Sequence, residues 1–116
     1  MICSMYHNRS GFDFEKVFPP LPENIAVAQD GADGMRFKSL NTDTSLYYQF
    51  LNSLPGKGFK TLPAGTVVWR CGKQNKLQKK TVSGEAFYKD LGEGFGAVAE
   101  YNGNFCALYL IRGMGE

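Results

Sequence analysis

The regular alternation of apolar and polar residues is strongest near the C-terminal end of the chain. Phe95 to Tyr101 and Asn104 to Ile111 flank Asn102-Gly103. Asn-Gly between two apolar runs predicts a hairpin with a type I′ turn, because that turn needs two positive φ values. A two-residue loop sets Tyr101 opposite Asn104, Ala99 opposite Cys106, Ala97 opposite Leu108 and Phe95 opposite Leu110. One face then carries Phe95, Ala97, Ala99, Cys106, Leu108 and Leu110, and its small central residues leave room for a helix. The other face carries Val98, Glu100, Phe105, Ala107, Tyr109 and Ile111. A hairpin apolar on both faces is either central in a covered sheet or lies at a subunit interface. With one good helix in the chain, this points to a homodimer through the C-terminal hairpin.

That helix spans residues 43–54. Tyr47, Phe50, Leu51 and Leu54 recur at helical spacing on one apolar face. Thr42, Asp43 or Thr44 can cap its start, and Pro55-Gly56 ends it. So short a helix needs a sheet to pack on. Ile25 to Ala28 and the alternating Met35 to Leu40 read as two strands joined by Asp30-Gly31-Ala32-Asp33-Gly34, whose Asp-Gly pairs favour a turn over a calcium loop of this spacing. Thr66 to Cys71 is a β-branched and aromatic strand, with Val67, Trp69 and Cys71 on one face and Thr66, Val68 and Arg70 on the other. Lys79 to Phe87 supplies a partner strand with Gly84 as a bulge. Leu62-Pro63-Ala64-Gly65 and Leu91-Gly92-Glu93-Gly94 are turns. Residues 1–24 read as irregular, with Phe12, Phe14, Val17 and Phe18 as anchors in a short strand or turn, and Pro19-Pro20-Leu21-Pro22 stops any regular element. The fold class this predicts is α+β: one domain over 1–116, an antiparallel sheet of four to six strands, and the helix at about 43–54 packed on one face.

Composition agrees with a folded domain. In 116 residues, 43% are hydrophobic, 14% aromatic and 21% charged, too apolar for intrinsic disorder. No apolar run is long enough to span a membrane as a helix. The first residues lack a basic start followed by an apolar stretch, so a cytoplasmic location is expected. Three cysteines, Cys3, Cys71 and Cys106, read as reduced thiols in that setting, with Cys106 as a small buried hydrophobe. With His7 they match the ligand count of a zinc site, but no C-x₂₋₄-C pair occurs. Nor does Cys3 beside His7 supply the third group that a nucleophilic pair needs. No metal and no cofactor is expected.

Charge placement changes the picture more. The net charge is +2, yet residues 57–80 carry +7 and no acidic side chain, while 1–56 carry −2 and 81–116 carry −3. Such a segment is either a solvated loop or a docking surface for an acidic partner. Lys57, Lys60, Arg70, Lys73, Lys76, Lys79 and Lys80, with Tyr88 as a neighbouring aromatic, are the candidate partner-binding residues. Basic and aromatic residues interleaved suit a nucleic acid or an acidic protein surface. Gly92-Glu93-Gly94-Phe95-Gly96 is too short for a dinucleotide loop and precedes a strand.

One short run points to chemistry instead. Leu62 to Gly72 resembles the first strand of mono-ADP-ribosyltransferases, in which a strand-end arginine holds the dinucleotide. The resemblance implies that role for Arg70 in an NAD-binding domain. Thr81-Val82-Ser83 stands where that family has its Ser-x-Ser/Thr strand, and no Glu-x-Glu or Gln-x-Glu pair exists in the chain. It would therefore be a degenerate or partial relative. The leading expectation is a small accessory or inhibitor protein without enzymatic activity that docks on a macromolecule through segment 57–80.

Overall fold

The computed structural model describes residues 13–72, 74 and 76–115. They form one eight-stranded antiparallel sheet and one main helix, α2 (Ser45–Ser53), preceded by a single helical turn, α1 (Phe14–Val17). The strands are β1 (Ile25–Gln29), β2 (Gly34–Ser39), β3 (Lys60–Leu62), β4 (Val67–Cys71), β5 (Leu77–Thr81), β6 (Glu85–Gly92), β7 (Phe95–Tyr101) and β8 (Cys106–Met114). The sheet has more strands than the four to six expected. β3 is an addition, and the single strand expected over 79–87 is two. Glu100 binds the backbone N–H of Ser83, and Gly84 turns at φ +69, so the chain corners between β5 and β6 instead of bulging.

β8 organises the sheet. Along one edge it pairs with β7; along the other it pairs first with β2 (Phe37 with Cys106 through Gly34 with Tyr109) and then with β4 (Arg70 with Ile111, Val68 with Met114). Two hairpins, β1–β2 and β4–β5, therefore dock end to end on a single strand. A nine-residue strand is long enough to hold both, and an irregularity at Trp69/Arg70 re-aims β4.

The C-terminal hairpin is present in a different register from the one expected: Ala97 pairs with Leu110, Ala99 with Leu108 and Tyr101 with Cys106. The loop is four residues. Asn102 Oδ1 accepts from the N–H groups of Asn104 and Phe105, and the Asn102 N–H donates to Phe105 O. This Asx turn replaces the two-residue loop. A shift of two leaves every side chain on its expected face.

Those two faces carry two cores. On the first, Leu46, Tyr47, Phe50, Leu51 and Leu54 share a cluster with Phe18, Phe37, Ala97, Ala99, Tyr101, Cys106 and Leu108. Tyr47 stacks on Tyr101 at 4.5 Å and on Phe37 at 5.9 Å, and its hydroxyl accepts from Ser39 N at 2.7 Å. On the second, Leu62, Val68, Val82 and Ala86 bury Val98, Ala107, Tyr109 and Ile111. The chain's own strands thus cover the face whose apolarity pointed to a homodimer. At the helix start, Asp43 Oδ1 accepts from the N–H and hydroxyl of Ser45, which holds the Asp43 carboxyl below its ordinary range.

Cys106 is a free, buried thiol, pushed well above its ordinary pKa by burial and by Glu100. Cys71 is disulfide-bonded, which departs from the reduced thiols expected of a cytoplasmic chain. The readings of Cys3, His7, Phe12 and Lys73 lie outside the described residues.

Candidate functional site

Strand parity places the most consequential basic side chain inside the molecule. Val68 and Arg70 lie on the same face of β4, and that face meets the second core. Arg70 is only 7% exposed. Its guanidinium lies 4.2 Å over the Tyr109 ring, Nη1 is 3.5 Å from Asp30 Oδ1, and Nη2 donates to the Asp30 carbonyl. The β1–β2 turn closes around this group so tightly that a Cβ on Gly34 would stand 2.7 Å from Arg70 Nη2. Gly31, at φ +75, has the same constraint. The two Asp-Gly pairs are therefore the seat of an arginine as well as a turn.

A second buried charge continues the array. Glu100 is 3% exposed and accepts from Ser83 N at 2.9 Å, Ser83 Oγ at 3.1 Å and Tyr109 Oη at 2.7 Å. Lys80 Nζ stands 3.4 Å from Glu100 Oε1 and 6.0 Å from the Tyr109 ring centroid. Burial, then the Glu100 charge, raises the Tyr109 phenol far above its ordinary range. It therefore stays protonated and donates to the carboxylate. Asp30, Arg70, Tyr109, Glu100 and Lys80 form one connected row in which two cations meet two anions.

Beside this row lies a cavity of about 310 Å³ lined by Asp30, Gly31, Arg70, Gly72, Gln78, Lys79 and Lys80. Arg70 Nε is buried with no hydrogen-bond partner among the described residues.

The expected basic surface is thus divided. Arg70 and Lys80 serve the interior. Lys76 and Lys79 are exposed at the start and middle of the β5 hairpin arm, which pairs with β4 alone. Lys60 is exposed on β3 opposite Tyr88, and Lys57 reaches the Lys16 carbonyl at 3.4 Å. Tyr88 is half-buried and packs against the second core, and burial followed by the Asp90 charge raises its phenol. Trp69, half-buried, spends its indole N–H on the Gly115 carbonyl. Glu100, Tyr109, Ser83 and Asp30 escaped sequence reasoning as a unit. The available signal was Glu100 itself, the one acid in the otherwise apolar second face.

The enclosure of Arg70 also bears on the dinucleotide role that resemblance assigns to it. Its head group is already held by Asp30 and covered by Tyr109. Among the described residues no group of three or more His, Cys, Asp or Glu is placed to hold a metal ion, and no helix is long and apolar enough to cross a membrane. No family model, curated protein or solved structure matches the chain.

Proposed function

We propose that the chain is a binding module, covered by α2 on one face of its sheet, that docks on an acidic protein surface through the β4–β5 hairpin. The observation that carries this reading is the exposure of Lys76 and Lys79 on an outer strand, in a segment of 24 residues without a carboxylate. Lys80 and Arg70 anchor the hairpin from within, so the outer lysines stand on a braced strand. An acidic protein suits this surface better than a single-stranded nucleic acid. Stacking on bases needs free aromatic faces, and Trp69 and Tyr88 are both half-buried and engaged.

The test is retention on immobilised polyglutamate and on single-stranded DNA, with a charge-matched control. Lys76→Glu/Lys79→Glu and Lys16→Glu/Arg112→Glu, the latter at exposed positions outside the hairpin, lower the net charge equally. The reading expects the first pair to elute from polyglutamate at lower salt than the second. Equal elution would reduce the effect to net charge, and stronger retention on DNA than on polyglutamate would favour nucleic acid.

A further inference from the structure

Three strands, β1, β3 and β5, have one edge without a partner strand among the described residues. Natural sheets protect such edges with charge, shortness, proline or bulges. β5 carries Lys79 and Lys80, and β3 is three residues long and carries Lys60. β1 reads Ile25-Ala26-Val27-Ala28-Gln29, five residues with no charge, no proline and no register shift against β2, and its last four residues are exposed. Val27 is 51% exposed. Among the described strands, this is the open edge without charge, proline or bulge of its own.

The charge beside it sits one strand further in. Lys38 pairs with Ala26 and Arg36 with Ala28, so both cations rise from the face on which β1 has only methyl groups. They line a groove of about 520 Å³ with Ala26, Val27, Ala28, Asn104 and Phe105, and no acidic residue borders it among the described residues. Both are exposed, and neither has a carboxylate partner among the described residues. Arg36 lies 4.7 Å over the Phe105 ring.

We propose that the outer edge of β1 receives an extended acidic peptide as an added strand. Backbone pairing supplies the docking, as in other strand additions. The added strand lies two strand spacings from β2, about 10 Å, a gap that an arginine or lysine and a glutamate span across the small alanines. Its alternate residues fall on the Val27 side, where apolar side chains fit. The occupant is therefore a strand with acidic residues on one face and apolar residues on the other. A second copy of the chain fits worse. Pairing β1 with β1 sets two Arg36/Lys38 pairs about 14 Å apart, three strand spacings, reaching toward each other with like charge. This surface is separate from the β5 lysines and does not depend on them.

The probe is an acetylated and amidated hexapeptide, (Glu-Val)₃, with (Lys-Val)₃ as the control, added to the full chain and followed by calorimetry and amide hydrogen exchange. We expect (Glu-Val)₃ alone to bind, residues 25–29 to gain amide protection on binding, and Arg36→Glu/Lys38→Glu to weaken binding at least tenfold while the charge-matched Lys16→Glu/Arg112→Glu, at exposed positions outside both surfaces, leaves it within twofold. Far-UV circular dichroism melts verify that the variants fold. Absence of binding, equal binding of the two peptides, or a concentration-dependent dimer whose 25–29 amides are protected without peptide would each overturn the proposal. Because this test reads amide protection at residues 25–29 and the β5 test reads retention lost with Lys76 and Lys79, the two failures are separable.

Discussion

Glu100 and Tyr109 decide more about this molecule than their places in the sequence suggest. A buried carboxylate is tolerated only when its lone pairs are used, and Glu100 uses them on Ser83, Tyr109 and Lys80. Tyr109→Phe removes one donor and keeps the ring under Arg70, so it should cost about 1–3 kcal/mol. Glu100→Ala leaves Lys80 and two hydroxyls unanswered and should cost about 3–5 kcal/mol. Urea midpoints measure both, and a loss below about 0.5 kcal/mol for either, the range of an ordinary surface change, would contradict the array. The pH dependence follows the same group. The folded state holds Tyr109 neutral above the unfolded-chain value near 10. Its contribution is complete below that value and is lost as the pH rises from there toward the folded-state value. Stability should therefore fall on the alkaline side, and Tyr109→Phe should flatten that limb of a stability–pH curve. The sequence displayed every lysine and glutamate but not their pairings. Arg70 and Lys80 meet their partners across 40 and 20 residues of chain, a separation that no local pattern encodes.

At the scale of the element, the legible parts are those governed by short-range rules. The apolar spacing of Tyr47, Phe50, Leu51 and Leu54 and the breaker at Pro55 mark α2 to within about two residues. Alternation marks β2, β4, β7 and β8. The strand over 79–87 misled because a continuous β pattern does not announce where a carboxylate 17 residues away will bend the chain. β3 is too short to leave a pattern at all. The corner is testable. A Cβ on Gly84 would stand 2.2 Å from the Tyr101 carbonyl oxygen at a φ of +69. Gly84→Ala should destabilise by more than about 1 kcal/mol, beyond the gain of up to that size that Gly→Ala brings at an unstrained site. A neutral or stabilising result by thermal melt would show that the β5–β6 connection is looser than described. The hairpin register is a milder case. Asn102 signalled the turn correctly, but its side chain chose an Asx loop over type I′, and composition does not distinguish the two.

For the whole molecule, each face of the hairpin whose apolarity suggested self-association lies against residues of the same chain. α2 residues share the first cluster with the hairpin, and Leu62 of β3, Val68 of β4, Ala86 of β6 and Val82 share the second. Because the hairpin residues of both faces are buried in the single chain, light scattering should report a particle of about 12.9 kDa at micromolar concentration; a stable dimer would contradict this. The disulfide at Cys71 is a further whole-chain test. Alkylation of the denatured, unreduced protein followed by peptide mass analysis should label Cys106 and leave Cys71 unlabelled, whereas labelling of Cys71 would restore the reduced reading.

The central claim is that basic charge is divided between the interior and the outside of one hairpin, and that the outer part meets an acidic protein. Amide chemical-shift mapping of the labelled chain during a polyglutamate titration at near-physiological salt locates the contact directly. The account predicts that the largest shifts fall within residues 76–80 of the β5 arm. Shifts spread evenly over the surface, or confined to segments that do not include this arm, would contradict it.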